Sequence, residues 1–248
     1  MKVVPMIFNT DMVKALMAGD KVVTRRPVNE EYIEYIKFTG SSDLACENLE
    51  FLGLMYDTWQ DDNHKMRGPE YLVYCTEYPE EGCIPIGQGV ARKGDLIYVR
   101  ETFRLFNHSD ECGCSDYCAC PPSGTPVYFA TCGDDSESKW KPSIHMPRTA
   151  SRLTLKVTDV RIEKVQDITE EQCWKEGIEH IDGQFDIHQL SEMAKTFDGT
   201  FEDAKALFAC LWDSIYQNWH QNPYVWVIEF EVIHQNVDKY LESVKEAA

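Results

Sequence analysis

The sequence predicts an α+β fold built on a small barrel-like sheet. Three observations carry this. Strand-like runs, such as Leu96–Arg100 and residues 226–233, are short and scattered. Helical patterns interrupt them irregularly, which argues against a regular doubly wound parallel sheet. There is no internal repeat and no low-complexity segment, so a repeat array is excluded.

The elements follow in chain order. Residues 6–8 read as a short strand entering a helix that Asn9 or Thr10 caps, with Met12, Val13, Leu16 and Met17 as its apolar face. Gly19 suits the left-handed residue that ends such a helix. The β-branched Val22, Val23 and Thr24 favour a strand directly after it. Asn29 is a candidate cap for a helix presenting Tyr32, Ile33 and Ile36. Residues 39–88, irregular and rich in acid and tyrosine, read as an insertion with a hairpin or two. Gly94 and Asp95 turn into the strand Leu96–Arg100. Residues 106–124 form a cysteine-rich loop, 127–130 a short strand, and 131–147 a polar connection carrying Trp140 and His145. In 152–160 the chain alternates, with Leu153, Leu155 and Val157 facing one way. Thr169-Glu170-Glu171-Gln172 is a capping box opening a helix that stops at Gly177. Phe201, Ala204, Leu207, Phe208, Leu211, Trp212 and Ile215 make an amphipathic helix whose apolar face is core. Residues 226–233 form a central hydrophobic strand. Val237, Tyr240, Leu241 and Val244 recur at helical spacing in a tail that packs on the body or mediates a contact between chains.

The 248 residues allow one large domain or two small ones, and a 43% hydrophobic content supports a sizeable core. The net charge of −18 repels an extended polyanion, so any nucleic-acid contact is local. A single nucleotide, a nucleoside or one base in a pocket is the better-matched partner. No apolar run reaches membrane-spanning length, and the N-terminus lacks the apolar core of a signal peptide. Ten cysteines raise an oxidised scaffold, but the clustering of four of them favours a reducing cytoplasm and metal binding.

Two constellations carry chemistry. From Ala18 to Arg26, Lys21 lies at a turn, while Thr24 and Arg26 share one face of the following strand. An amine, a hydroxyl and a guanidinium at a strand mouth suit acyl transfer; the plainer reading is a basic strand end at the surface. The second constellation is Cys112-Gly113-Cys114-Ser115-Asp116-Tyr117-Cys118-Ala119-Cys120. Cys112, Cys114, Cys118 and Cys120 can close around one tetrahedral Zn²⁺ because Gly113 and Ala119 let each pair turn tightly. Cys132, Cys75, Cys83, His108 and Asp110 are alternates for one ligand. A site closed by four thiolates leaves no open position, so its role is structural. The other readings are a reduced loop without metal and, behind it, redox pairing of the thiols.

The string Gly19-x-Lys21-x-x-Thr24-x-Arg26, Gly94-Asp95 ahead of a strand, and the closing Val225-Trp226-Val227-Ile228-Glu229-Phe230 together resemble the ASCH domain of the PUA-like superfamily. Val99-Arg100-Glu101-Thr102 and Lys141-Pro142-Ser143-Ile144-His145-Met146-Pro147-Arg148 are similar to strings in the larger ASCH proteins of bacteriophages and prophages. The resemblance spans most of residues 1–235 as one domain, with insertions near 39–90, 106–125 and 180–200. It leaves 236–248 as a helical tail. It implies a PUA-like small mixed β-barrel with flanking helices, in the cytoplasm of a bacterial host. One group of small bacterial ASCH proteins hydrolyses the acetyl amide of N4-acetylcytidine with a lysine, a threonine and a glutamate. Lys21 and Thr24 match the first two, and Glu176 matches the glutamate late in a short helix. The implied chemistry needs no cofactor. Other PUA-like domains bind RNA or modified bases without catalysis, and some ASCH proteins act as ribonucleases. The alternatives are therefore a nucleotide- or single-stranded-RNA-binding module, a ribonuclease using Lys21 and His145, or a zinc-stapled interaction protein.

Glu176 is informative by itself, because a helix's last turn disfavours a carboxylate unless a cation or a use compensates. Lys21 is the candidate cation; the alternative is a solvated acid on a frayed end. Within the implied reaction Thr24 attacks the acyl carbonyl or positions a water. Lys21 is the base or the oxyanion stabiliser, and Glu176 orients it or shuttles a proton. Arg26 is a substrate-binding candidate. Tyr98, Trp140 and Trp226 are stacking candidates, or core aromatics. His145 and Arg148 flank Pro147 in a rigid loop that reads as a pocket wall or as plain structure. Arg100 and Glu101 read as an ion pair bracing the pocket, or as direct substrate contacts.

Overall fold

The computed structural model describes residues 1–29, 31–32, 49–54, 59–60, 63–77, 82–114, 118–133, 139–178, 194–197, 199 and 203–246. Its strands are β1 (Val3–Ile7), β2 (Val23–Pro27), β3 (Leu49–Leu54), β4 (Trp59–Gln60), β5 (Met66–Arg67), β6 (Tyr71–Cys75), β7 (Cys83–Pro85), β8 (Leu96–Arg100), β9 (Phe103–Leu105), β10 (Pro126–Tyr128), β11 (Thr154–Lys164) and β12 (Tyr224–Ile233). The helices are α1 (Thr10–Ala18), α2 (His108–Glu111), α3 (Phe129–Cys132), α4 (Glu170–Lys175), α5 (Ala204–Tyr216) and α6 (Val237–Glu246). This is the predicted α+β arrangement.

The frame is a five-stranded sheet in the order β1-β8-β11-β12-β2. β1 runs parallel to β8, and the other pairs are antiparallel. A bulge between Val157 and Asp159 interrupts the β11–β12 ladder and lets long β11 bend. Among the described residues β1 and β2 remain edges, so the sheet does not close as a barrel. The edges nonetheless approach: Arg26 on β2 donates through Nη2 to the carbonyl of Ile7 on β1 at 3.0 Å. The seam between them is where the site lies.

α1 spans this seam. The Asn9 side chain caps it by accepting from the Met12 amide. Gly19, at φ 85°, ends it, and its N–H bonds the Ala15 and Leu16 carbonyls. Val13, Ala15 and Leu16 are fully buried, whereas Met17 is mostly off the apolar stripe and exposed.

The described part of the predicted insertion forms the β3-β6-β7 sheet and the β4–β5 pair. It shares the main core: Tyr71, Val73, Ile84 and Ile86 are buried there. The Tyr71 ring lies 5.0 Å from that of Trp226, so Trp226 is a core aromatic and not a stacking platform for a base. The predicted helix around Ile33 and Ile36, Phe201, and most of 180–200 lie outside the described residues.

The strand expected at 127–130 stops at Tyr128, because its partner β9 begins opposite at Phe103 and the ladder runs out. The chain turns into α3 instead. α5 buries Phe208, Leu211 and Trp212, but Ile215 on its last turn is exposed rather than core. α6 packs back on the body by its first turn. Val237 is buried, Asp238 pairs with Arg148, and Asn236 Nδ2 donates to the carbonyls of Arg148 and Ser151 at 2.9 and 2.8 Å. No helix among the described residues is long and apolar enough to cross a membrane.

Gly177, predicted to stop α4, does so at φ 77°. A Cβ there would lie 2.6 Å from Ala15 Cβ and 3.0 Å from Lys21 Cβ. The end of α4 is thus pressed onto the α1–β2 turn. Gly177→Ala is expected to lower unfolding stability by about 2–4 kcal/mol through left-handed strain and overpacking, measured by urea denaturation.

Candidate active site

The turn after α1 and the end of α4 are joined by backbone first. Lys21 and Glu176 form an isolated antiparallel bridge, and the Val22 amide bonds the Lys175 carbonyl at 2.9 Å. The bridge places the two side chains together. Lys21 Nζ donates to Glu176 Oε2 at 2.5 Å and to the Glu176 carbonyl at 2.9 Å. Lys21 is 0% exposed and Glu176 3%. Burial strips water from the ammonium and pulls the Lys21 pKa below its ordinary value; the facing Glu176 carboxylate opposes this, while Arg26 and Arg25 add to it.

Arg25, a residue that sequence reasoning missed, holds the other carboxylate oxygen. Its Nη1 donates to Glu176 Oε1 at 3.1 Å, and its Nη2 to Gln172 Oε1 at 3.0 Å and Glu163 Oε2 at 3.2 Å. Gln172 also closes the predicted capping box at Thr169. Gln172 and Glu176, one turn apart on α4, present one face to Arg25; that spacing was the available signal. Arg161 extends the network, bonding Glu163 at 2.5 Å and Glu229 at 2.6 Å.

Thr24 sits on β2 opposite Ile228 and is 1% exposed. Its hydroxyl is buried and makes no hydrogen bond. Thr24 and Glu176 line one cavity of about 10 Å³, roofed by Phe208, Leu211 and Trp212 of α5. That is about the room of one water. Lys21 stands behind Glu176 rather than in the cavity wall. The structure therefore brings Lys21, Thr24 and Glu176 together, with the carboxylate between amine and cavity. The small cavity adjoins a groove of about 440 Å³ and shares Met12, Arg26, Ile215 and Tyr216 with it.

Of the predicted binding residues, Arg26 and Arg100 line this groove. Tyr98 lies on β8 opposite Pro5 and Thr154 and is not in the groove wall. Arg100 and Glu101 do not pair, because neighbours at a strand end diverge. Arg100 donates instead to the Ile144 carbonyl, while buried Glu101 holds Arg152 by two bonds of 2.9 Å. His145 is exposed on a 3-10 turn and makes no contact with Lys21, so the proposed ribonuclease pair does not assemble. Arg148 is taken up by Asp238. Trp140 packs edge-on against Phe129 with Arg104 over its ring.

The sulfurs of Cys112, Cys114, Cys118 and Cys120 all lie within 4.8 Å of one another. Cys112 and Cys118 are 3.2 Å apart and Cys114 and Cys120 3.9 Å. Tetrahedral Zn–S bonds of about 2.3 Å put sulfurs roughly 3.8 Å apart, so the donor set fits. The Cys114 amide and the Cys118 thiol pull the Cys112 pKa down, while thiol neighbours push Cys120 up to about 12. His108 Nε2 lies 3.2 Å from Cys118 Sγ. Cys83 and Cys132 are free and outside the cluster, and the side chain of Asp110 lies outside the description. Cys75 is disulfide-bonded, which departs from the expectation of a reduced set.

Comparison of the chain with protein-family models, with curated proteins and with solved structures finds no match.

The buried network makes a stability prediction. Lys21→Met leaves Glu176 with one cation and is expected to cost about 3 kcal/mol, whereas adding Glu176→Gln recovers part of that loss. Urea denaturation of the single and double variants checks the order.

Proposed function

We propose that this chain is an amidohydrolase that removes the acyl group from an N4-acylated cytidine-type substrate. The observation that carries the reading is the unpartnered, buried Thr24 hydroxyl beside the Lys21–Glu176 pair. The resemblance of Lys21, Thr24 and Glu176 to the ASCH amidohydrolase set supports it. By the same resemblance, the curled five-stranded sheet is an opened PUA-like barrel, of the type borne by bacteriophage-encoded proteins.

In this reaction Thr24 Oγ adds to the acyl carbonyl. Its proton passes by way of the Glu176 carboxylate to the Lys21 amine and returns through the same carboxylate to the departing N4 nitrogen. The C–N bond breaks, the amine leaves, and the acyl ester on Thr24 is hydrolysed by water to the free acid. A lowered Lys21 pKa supports this role, because the neutral amine is the proton acceptor.

Purified protein is expected to hydrolyse N4-acetylcytidine. Thr24→Val and Lys21→Met should each lower kcat/KM by about 10²–10⁴-fold, with circular dichroism confirming a folded chain. In the parent, kcat/KM should rise with pH as Lys21 loses its proton and level off below the ordinary lysine value of 10.5. A rate that falls over that limb would make Lys21 a cationic oxyanion stabiliser; no turnover at any pH would remove the assignment. The second reading, a non-catalytic nucleotide-binding module, is favoured by one observation: α5 leaves only about 10 Å³ at Thr24.

We also propose that Cys112, Cys114, Cys118 and Cys120 hold one Zn²⁺ that crosslinks the loop between β9 and β10. Metal analysis should find one zinc per chain, lost in Cys118→Ser. Chelation should make this loop the first site of proteolysis. A folded, metal-free chain with the same protease resistance would refute the site.

A further inference from the structure

The groove beside Thr24 carries an unusual charge. The chain holds 42 acidic residues, yet none of the nine described residues lining the groove has a carboxylate. Arg25, Arg104, Arg148, Arg152 and Arg161 each pair with an acid. Arg26 and Arg100, both in the groove wall, do not.

These two arginines flank one residue. Arg100 is the register partner of Ile7 on the neighbouring strand, about 4.8 Å away. Arg26 reaches the same residue from the opposite edge, donating to the Ile7 carbonyl at 3.0 Å and to the Arg25 carbonyl at 3.3 Å. Arg100 is held by the Ile144 carbonyl. Neutral carbonyls fix a guanidinium fork without cancelling its charge. Arg100 Nε is moreover buried without a hydrogen-bond partner. Paired guanidiniums with free N–H groups match phosphate oxygens.

The rest of the groove suits a base and a sugar. Its volume of about 440 Å³ is in the range of small-ligand sites. Ile7 and Ile215, 46% and 45% exposed, and Tyr216 give it an apolar wall. Arg26 Nη1 donates to the Tyr216 hydroxyl at 3.5 Å, which leaves that hydroxyl's proton free for a ligand. The groove meets the Thr24 cavity along Met12, Arg26, Ile215 and Tyr216.

We propose that Arg26 and Arg100 clamp the phosphate of a mononucleotide, so that the site takes a 5′-phosphorylated cytidine-type nucleotide rather than the free nucleoside. This rests on reading the groove as the entrance to Thr24. A single phosphate fits better than a strand, because the net charge of −18 repels a longer polyanion from the surface around the groove.

Calorimetric titration of the whole protein with cytidine 5′-monophosphate, cytidine and inorganic phosphate tests this. The monophosphate should bind at least about tenfold tighter than cytidine. Inorganic phosphate should compete with it, and added salt should weaken it. Arg26→Gln and Arg100→Gln, checked for folding by circular dichroism, should each weaken the monophosphate by about tenfold. The comparison of ligands on the parent protein stands even where a variant fails to fold. Equal affinity for the monophosphate and cytidine, no binding of the monophosphate, or about tenfold tighter binding of a seven-nucleotide RNA would each overturn the proposal. Arginine-dependent binding of the monophosphate without turnover of its N4-acetyl form would uphold the clamp and refute the amidohydrolase reading. Hydrolysis of N4-acetylcytidine and its 5′-phosphate with the same kcat/KM would do the reverse.

Discussion

The ion pair between Lys21 and Glu176 is the constraint around which the rest of the molecule is arranged. Each buried ion forfeits several kcal/mol of hydration, repaid only when its hydrogen-bonding capacity is filled. Here the two carboxylate oxygens are taken by different cations, Lys21 and Arg25, and the Lys21 ammonium also reaches the Glu176 carbonyl. That geometry requires the α1–β2 turn and the α4 terminus to lie in contact. Gly177 permits it, since any side chain there would strike Ala15. The network then crosses the sheet. Arg25 and Arg161 face the same residue, Val227, from β2 and β11, and Glu163 beside Arg161 bonds both guanidiniums. Cross-strand pairs of this kind fix register as well as charge.

A second consequence follows from the unclosed seam. A closed barrel would satisfy both edges with backbone bonds. Instead, among the described residues, the Arg26 side chain links β2 to β1, and the space beside it becomes the groove. The carbonyl of Ile7, which a neighbouring strand would have used, orients a guanidinium. On the other side the β9–β10 hairpin and the Pro142–Pro147 loop meet through the Phe103–Lys141 bridge, and that loop supplies the Ile144 carbonyl for Arg100. Both groove arginines are thus set by backbone geometry.

Much of this was legible locally. The Asn9 cap, the Gly19 stop, the Thr169 capping box and the Gly177 stop are short-range devices, and all four appear where the sequence put them. The Lys21–Glu176 pairing was readable because a carboxylate at a helix C-terminus needs a cation. What the sequence hid was long-range. Alternation along β2 drew attention to Thr24 and Arg26 and passed over Arg25. Because α4 and α5 cover the sheet there, Val23, Thr24 and Arg25 are all buried, and Arg25 becomes central. The pairing of Glu101 with Arg152, 51 residues on, overrode the adjacent Arg100 for the same reason. Trp226 lost its candidacy to Tyr71, which comes from an insertion with no local reason to reach the core.

α5 sets the terms on which anything reaches Thr24. Its middle turns bury Phe208, Leu211 and Trp212, each worth about 1.5–3 kcal/mol of transfer free energy. Trp212 Nε1 is further held by Asn218 Oδ1 at 2.8 Å, and Asp213 Oδ1 accepts from the Trp219 amide at 3.1 Å. Lifting the whole helix would therefore consume a large part of a domain's stability of about 5–15 kcal/mol. The last turn is different. Ile215 is already exposed, Tyr216 is half-buried, and the chain leaves the helix at Gln217 through a left-handed residue at φ 54°. These two side chains stand in both the groove and the Thr24 cavity. Widening the Thr24 cavity at these two side chains therefore costs less buried packing than displacing Phe208, Leu211 or Trp212.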